Sequence, residues 1–133
     1  MELPDGKIVT GKTSSLLGAS AALLLNALKY LGNIPEETLL ISPAIIEPVQ
    51  ELKVTYMGNK NPRLHSDEVL IALSIAGESN PLAKQAMMQL KKLKGCDAHS
   101  TVILSKVDEQ MFKKLGINIT YEPKYQTNKL YHK

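Results

Sequence analysis

Arg63 is the single arginine among 16 basic residues, and it stands in the most polar stretch of the chain, Gly58-Asn59-Lys60-Asn61-Pro62-Arg63-Leu64-His65. A guanidinium presents a rigid bidentate fork that matches carboxylate and phosphate. Glycine, asparagine and proline make this stretch a loop, and binding groups concentrate in loops held by a scaffold. Ser66 can cap a helix over 67–76, whose first turn holds Asp67 and Glu68 at its positive end. Asn61, Arg63, His65 and Ser66 therefore form a candidate anion site at a helix start. His65 with Asp67 could also make an oriented acid–base pair. No metal site is expected, because no third ligand stands at a recognisable spacing from these two.

A second cluster lies in Gly6-Lys7-Ile8-Val9-Thr10-Gly11-Lys12-Thr13, which matches G-x-x-x-x-G-K-[ST] letter for letter. A phosphate-cradling loop needs a core strand before the first glycine and a helix after the threonine. Only Met1 to Asp5 precede Gly6, and Pro4-Asp5-Gly6 is a turn signal. The segment reads instead as a strand over 7–10 feeding a helix over 14–31. Lys12, Thr13 and Ser14 then sit at a helix start, where free amides attract anions. A Ser14 or Ser15 cap with a solvated lysine accounts for the same residues. Nucleotide hydrolysis would further need a strand-end carboxylate for magnesium. The predicted strands 38–42 and 100–104 run into Ser42-Pro43 and Ser105-Lys106, and supply none.

Cys96 and His99 make the third cluster, three residues apart before a predicted strand. They could serve as nucleophile and base; a buried thiol beside a hydrogen-bonded histidine is the alternative. No G-x-S-x-G, H-E-x-x-H or C-x-x-C pattern is present. These residues specify neither a reaction nor a cofactor, and leave open whether the chain is an enzyme.

The elements that must position these groups read as an α/β fold. A single small domain over 1–122, with about four mostly parallel strands flanked by about five helices, is followed by a basic tail over 123–133. The strands fall at 7–10, 38–42, 100–104 and 117–121. Besides 14–31 and 67–76, helices are predicted as a short or broken stretch from Pro43, interrupted by Pro48; over 81–94, with Asn80 as cap and Gly95 as stop; and over 107–115, closed by Gly116. Segments 7–10, 14–31 and 38–42 make a βαβ unit.

With 133 residues, 44% apolar and 22% charged, the chain can bury one core without staples. One cysteine excludes an internal disulfide framework and suits a reducing cytosol, so a cytoplasmic protein is expected. The longest apolar stretch, 16–31, carries Asn26 and Lys29 and falls short of the ~20 residues that span a bilayer. Met1 to Asp5 lack the basic start and apolar run of a signal peptide, and no membrane partner is expected. The net charge of +3 is mild. Lys91, Lys92 and Lys94 suit the negative end of a helix, and no arginine or aromatic cluster joins them, so no nucleic-acid partner is expected.

Three segments carry a resemblance: 3–14 (LPDGKIVTGKTS), 61–74 (NPRLHSDEVLIALS) and 122–133 (EPKYQTNKLYHK). They resemble the C-terminal portion of the bacterial uncharacterised protein family 0371, over nearly the whole chain. The resemblance implies a C-terminal domain of a longer bacterial protein, with α/β domains upstream and any site shared with them. It supplies no activity. The resulting expectation is an accessory domain contributing Lys12, Thr13, Ser14, Asn61, Arg63, His65 and Ser66 to a site for a phosphorylated or carboxylated metabolite. One alternative is a docking or homo-oligomerisation module, supported by the almost wholly apolar helix over 14–31 and by Met87-Met88. The other is nucleotide binding at 6–13.

Overall fold

The computed structural model describes residues 1–125. The chain opens as a short hairpin: the Val9 amide donates to Met1 O (2.9 Å) and the Leu3 amide to Lys7 O (2.8 Å). The reversal falls at Gly6, whose φ of 88° is the left-handed region that glycine enters without steric cost. A loop leads to α1 (Ala19–Leu31). The chain turns back at Asn33, with φ 55°.

The helix α2 (Pro43–Glu51) is capped by Ser42 Oγ, which accepts from the Ala44 amide at 3.0 Å. Pro48 lies within it. It widens into a π-helical turn, Leu52–Tyr56, where the Met57 amide reaches back to Leu52 O at 3.0 Å. Next come α3 (Ser66–Ala76) and α4 (Pro81–Met87), the latter capped by Asn80 Oδ1, which accepts from the Leu82 amide at 3.0 Å. A 3₁₀ turn, Leu90–Leu93, leads to β1 (Asp97–Ser100). The last elements among the described residues are α5 (Lys106–Lys114) and β2 (Asn118–Tyr121).

β1 and β2 pair in parallel, from Asp97 opposite Asn118 to Ser100 opposite Tyr121. Glu2 of the hairpin bridges antiparallel to Asp97 on the other side of β1. α1 packs on α3 and α4, α3 also on α5, and α5 on β2. Leu24, Leu28, Leu64, Val69, Leu73, Leu93 and Phe112 are shut off from solvent at their centre. Burying each such side chain is worth about 1.5–3 kcal/mol.

The described residues thus hold five α-helices and a two-stranded parallel sheet, not about four strands. Segment 7–10 enters only through a bridge from Ile8 to Glu2, and Ile8 faces solvent. Segment 38–42 forms no ladder: Leu40 and Ile41 are buried while Leu39 is exposed, so its apolar run marks two anchored side chains. The strand expected at 100–104 ends at Ser100. There the Ser100 hydroxyl donates to Val102 O (2.8 Å) and turns the chain out of the sheet. The βαβ unit is therefore β1–α5–β2.

Helix 14–31 begins five residues late. Ser14 Oγ accepts from the amides of Leu16 and Leu17 (3.3 and 3.1 Å), and Leu17 bridges to Leu64, which holds 14–18 out of the helix. Helix 81–94 divides after Met87. Among the described residues no helix is long and apolar enough to cross a membrane. The expected tail lies outside the described residues beyond Tyr125; at its start Lys124 O accepts from the Ile103 amide (2.7 Å).

Candidate functional site

The loop before α3 folds onto the loop before α1. The Leu64 amide donates to Leu16 O (3.0 Å), the Gly18 amide to Leu64 O (3.0 Å), and Arg63 Nε to Ser14 O. Asn61 Oδ1 accepts from the Arg63 amide at 3.0 Å, a local turn that sets where the guanidinium departs. These bonds bring Thr13 of the second polar cluster to one cleft of about 280 Å³ with residues of the first. Thr13, Asn61, Arg63 and His65 line it, with Ser105, Asp108 and the apolar wall of Ile103, Leu104 and Tyr125.

The N-terminus of α1 completes the wall through Gly18, Ala19 and Ser20. Gly18 is its N-cap and brings no side chain to accept from the first-turn amides, and that turn holds no acidic residue. The positive end of the macrodipole therefore meets no acid within its own first turn.

His65 finds its carboxylate in Asp108, not Asp67. Nδ1 of His65 lies 3.9 Å from Asp108 Oδ2. Asp67 Oδ1 instead accepts from the Glu68 amide (2.8 Å) in the first turn of α3. Asp108 is buried in the first turn of α5, where Ser105 Oγ accepts from its amide at 3.2 Å. Ser66, fully buried, gives Asp108 Oδ1 two hydrogen bonds, from its amide (3.0 Å) and its hydroxyl (2.6 Å). The Ser66 proton is thus committed to Asp108, and Ser66 is not arranged as a nucleophile toward His65. Ser66 was expected to cap α3; the N-cap is His65, whose amide donates to Glu68 Oε1 at 2.8 Å.

The pair favours a charged histidine. Its polar contact with Asp108 raises the His65 pKa above the usual 6.5, outweighing burial. Burial pushes the Asp108 carboxyl up, yet the neighbouring His65 and the hydrogen bonds from Ser66 prevail and hold it below its ordinary value. The cleft thus gathers His65, the Arg63 side chain and a helix N-terminus around one volume, with Asp108 Oδ1 engaged by Ser66.

Lys53 supports this arrangement from behind. Only 3% exposed, its ammonium donates to Arg63 O and to Glu68 Oε1 (2.7 Å). Glu68 Oε1 therefore ties the π turn, the Arg63 loop and the start of α3 together. Sequence reasoning missed Lys53, which stands in a segment 53–57 that reads equally as helix or strand, and missed Asp108, since an acid in a helix's first turn is ordinary.

Four other expected residues stand apart. Lys12 is exposed and does not line the cleft, and Ser14 Oγ is engaged by its own turn. Cys96 is buried, donates to Lys92 O (3.6 Å), and burial pushes its thiol up, opposite to the shift that activates a nucleophile. His99 lines a neighbouring cleft of about 230 Å³, with its ring nitrogens 2.7 Å from Thr120 Oγ1 and 2.7 Å from Glu122 Oε2. Cys96 and His99 thus address different partners. Among the described residues no group of three histidine, cysteine, aspartate or glutamate side chains could hold a metal.

The literal G-x-x-x-x-G-K-T pattern has other structural causes. Gly6 supplies the hairpin reversal, and Gly11 lies against the backbone of α1 at Ala19 and Leu23. Residues 14–18 separate Thr13 from the helix.

A family model described as the C-terminal domain of unknown function DUF1846 matches residues 1–131. A UPF0371 protein of Corynebacterium glutamicum (strain R) is 55% identical over 133 residues, which is 100% of this chain and 27% of that relative. A UPF0371 protein of Streptococcus pneumoniae (strain Hungary19A-6) is 52% identical over 132 residues, 99% of this chain and 27% of that relative. The chain therefore spans about a quarter of the length of these curated relatives.

Proposed function

Since the chain belongs to the DUF1846 C-terminal domain family, and its relatives are longer polypeptides, we propose that it is an accessory domain supplying one wall of an anion site. The ligand is a phosphorylated or carboxylated small molecule, and the opposite wall comes from the rest of the longer polypeptide. One observation carries this reading: Arg63, His65 and the uncapped start of α1 share a cleft, although the two loops lie far apart in sequence. Arg63 supplies a guanidinium charge and His65 a proton-bearing donor. The α1 amides supply further donors for the same oxygens. Asp108 is the positioning residue that favours the protonated form of His65. The apolar wall at Ile103, Leu104 and Tyr125 suits the uncharged part of such a ligand.

A thermal-shift titration of the longer polypeptide with inorganic phosphate, wild type and Arg63→Ala, tests this. At 100 times its dissociation constant a ligand adds about 2.7 kcal/mol of stability. The wild type is expected to gain that increment and Arg63→Ala to lose most of it. Equal shifts in both, or none in either, would refute the anion reading.

A further inference from the structure

The π turn Leu52–Tyr56 is built inside out. Its lysine, Lys53, is 3% exposed, while Leu52, Val54, Tyr56 (73%) and the following Met57 (62%) face solvent. An isolated surface turn gains nothing from that arrangement, because apolar side chains favour burial and a lysine favours water. The pattern continues onto α3. Ile71 and Ile75, exposed in the same manner, share the helical stripe of Glu68, the residue that holds Lys53. The Lys53–Glu68 bond thus sets the turn beside that stripe, and the two segments together expose six apolar side chains. An apolar surface rimmed by polar groups marks a contact site.

The geometry points to the upstream part of the same longer polypeptide as the occupant of this face. The domain accounts for 27% of the length of its relatives, and the matched model is a C-terminal one, so the remaining chain precedes it. Interfaces between domains of one chain bury ~600–1,500 Å², a scale that six apolar side chains with their polar rim can supply. The docking also explains the inward Lys53. With its ammonium held by Glu68 and by Arg63 O, the turn exposes no charge of its own beside its apolar side chains. The inference goes beyond the anion reading and stands without it, since it uses none of the cleft-lining groups.

Met57 and Met88 report on it without any substitution. Both are exposed in the domain by itself, at 62% and 70%, and Met88 lies outside the proposed face at the end of α4. Thioether oxidation by peroxide follows exposure. The rate at each methionine is read by mass spectrometry in the native longer polypeptide and again after unfolding in urea. Docking predicts that Met57 oxidises at least about tenfold more slowly in the native state, while Met88 stays within about threefold of its unfolded rate. A native Met57 rate equal to its unfolded rate would overturn the proposal. Protection of Met57 that disappears on dilution would overturn it too, in favour of a second copy as the occupant.

Discussion

Gly11→Ala is expected to destabilise the domain by about 3 kcal/mol or more, a fall in Tm of about 10 °C. The cause is local and specific. A Cβ at this position would meet the Leu23 amide, Ala19 O at 2.5 Å and Leu23 Cα at 2.7 Å. All three are backbone atoms of α1, so no side-chain rotation relieves the overlap. The loop must lift away from the helix and take its neighbours Thr13 and Ser14 with it. Gly6→Ala gives the internal comparison. Gly6 has φ 88° with open space around it, so alanine there costs about 1 kcal/mol of backbone strain alone. Thermal denaturation of the two variants should therefore rank Gly11→Ala well below Gly6→Ala. A Gly11→Ala variant as stable as wild type would show that the loop does not lie against α1, and would restore the phosphate-loop reading of this glycine.

Asp108→Ala is expected to cost about 3 kcal/mol at pH 5–6. It leaves the fully buried Ser66 hydroxyl and the Ser66 amide without their acceptor, and hydrogen bonds to a charged group contribute about 1.5–3 kcal/mol. Asp67→Ala, which frees only a first-turn amide beside solvent, should cost about 0.5 kcal/mol. The pH dependence follows from the two shifts. Asp108 has a lowered pKa, so its contribution is present above the ordinary carboxylate value of 3.8 and is lost as the pH falls through the still lower folded value. His65 has a raised pKa, so its contribution is complete below 6.5 and is lost as the pH rises through the higher folded value. The stability gap between wild type and Asp108→Ala, measured by urea denaturation, should be widest between about pH 4 and 6.5 and narrow on both sides. A gap independent of pH would mean that Asp108 and His65 do not interact.

What the sequence shows about this fold is what is decided locally. Asn80 and Pro81 announce α4 because a cap and a fixed φ act within one turn. Strand pairing is not local. The run at 38–42 reads as a buried strand because Leu40 and Ile41 are indeed buried, but apolar pattern reports burial and not the neighbour across a ladder. The start of α1 is misread for the same reason. Ser14 has the chemistry of a cap, yet the distant partner Leu64 holds its neighbour Leu17 in an extended bridge. In the site, Arg63 and His65 are legible because a polar loop ahead of a helix is an unusual concentration of donors. Asp108 is not, since its partner Ser66 lies 42 residues away and a first-turn acid already has a reason to exist. Lys53 is hidden likewise: nothing in 53–57 tells that the lysine turns inward and its apolar neighbours outward.

We propose that Arg63, His65 and the start of α1 hold one anion. Sulfate, whose own charge does not change near neutrality, reads this most directly. Calorimetric titration of the longer polypeptide with sulfate from pH 6 to 8.5 should show affinity falling as His65 loses its proton above its raised pKa, with that slope abolished in His65→Ala. An affinity that falls with the same slope in His65→Ala, or sulfate that does not bind at pH 6, would contradict it.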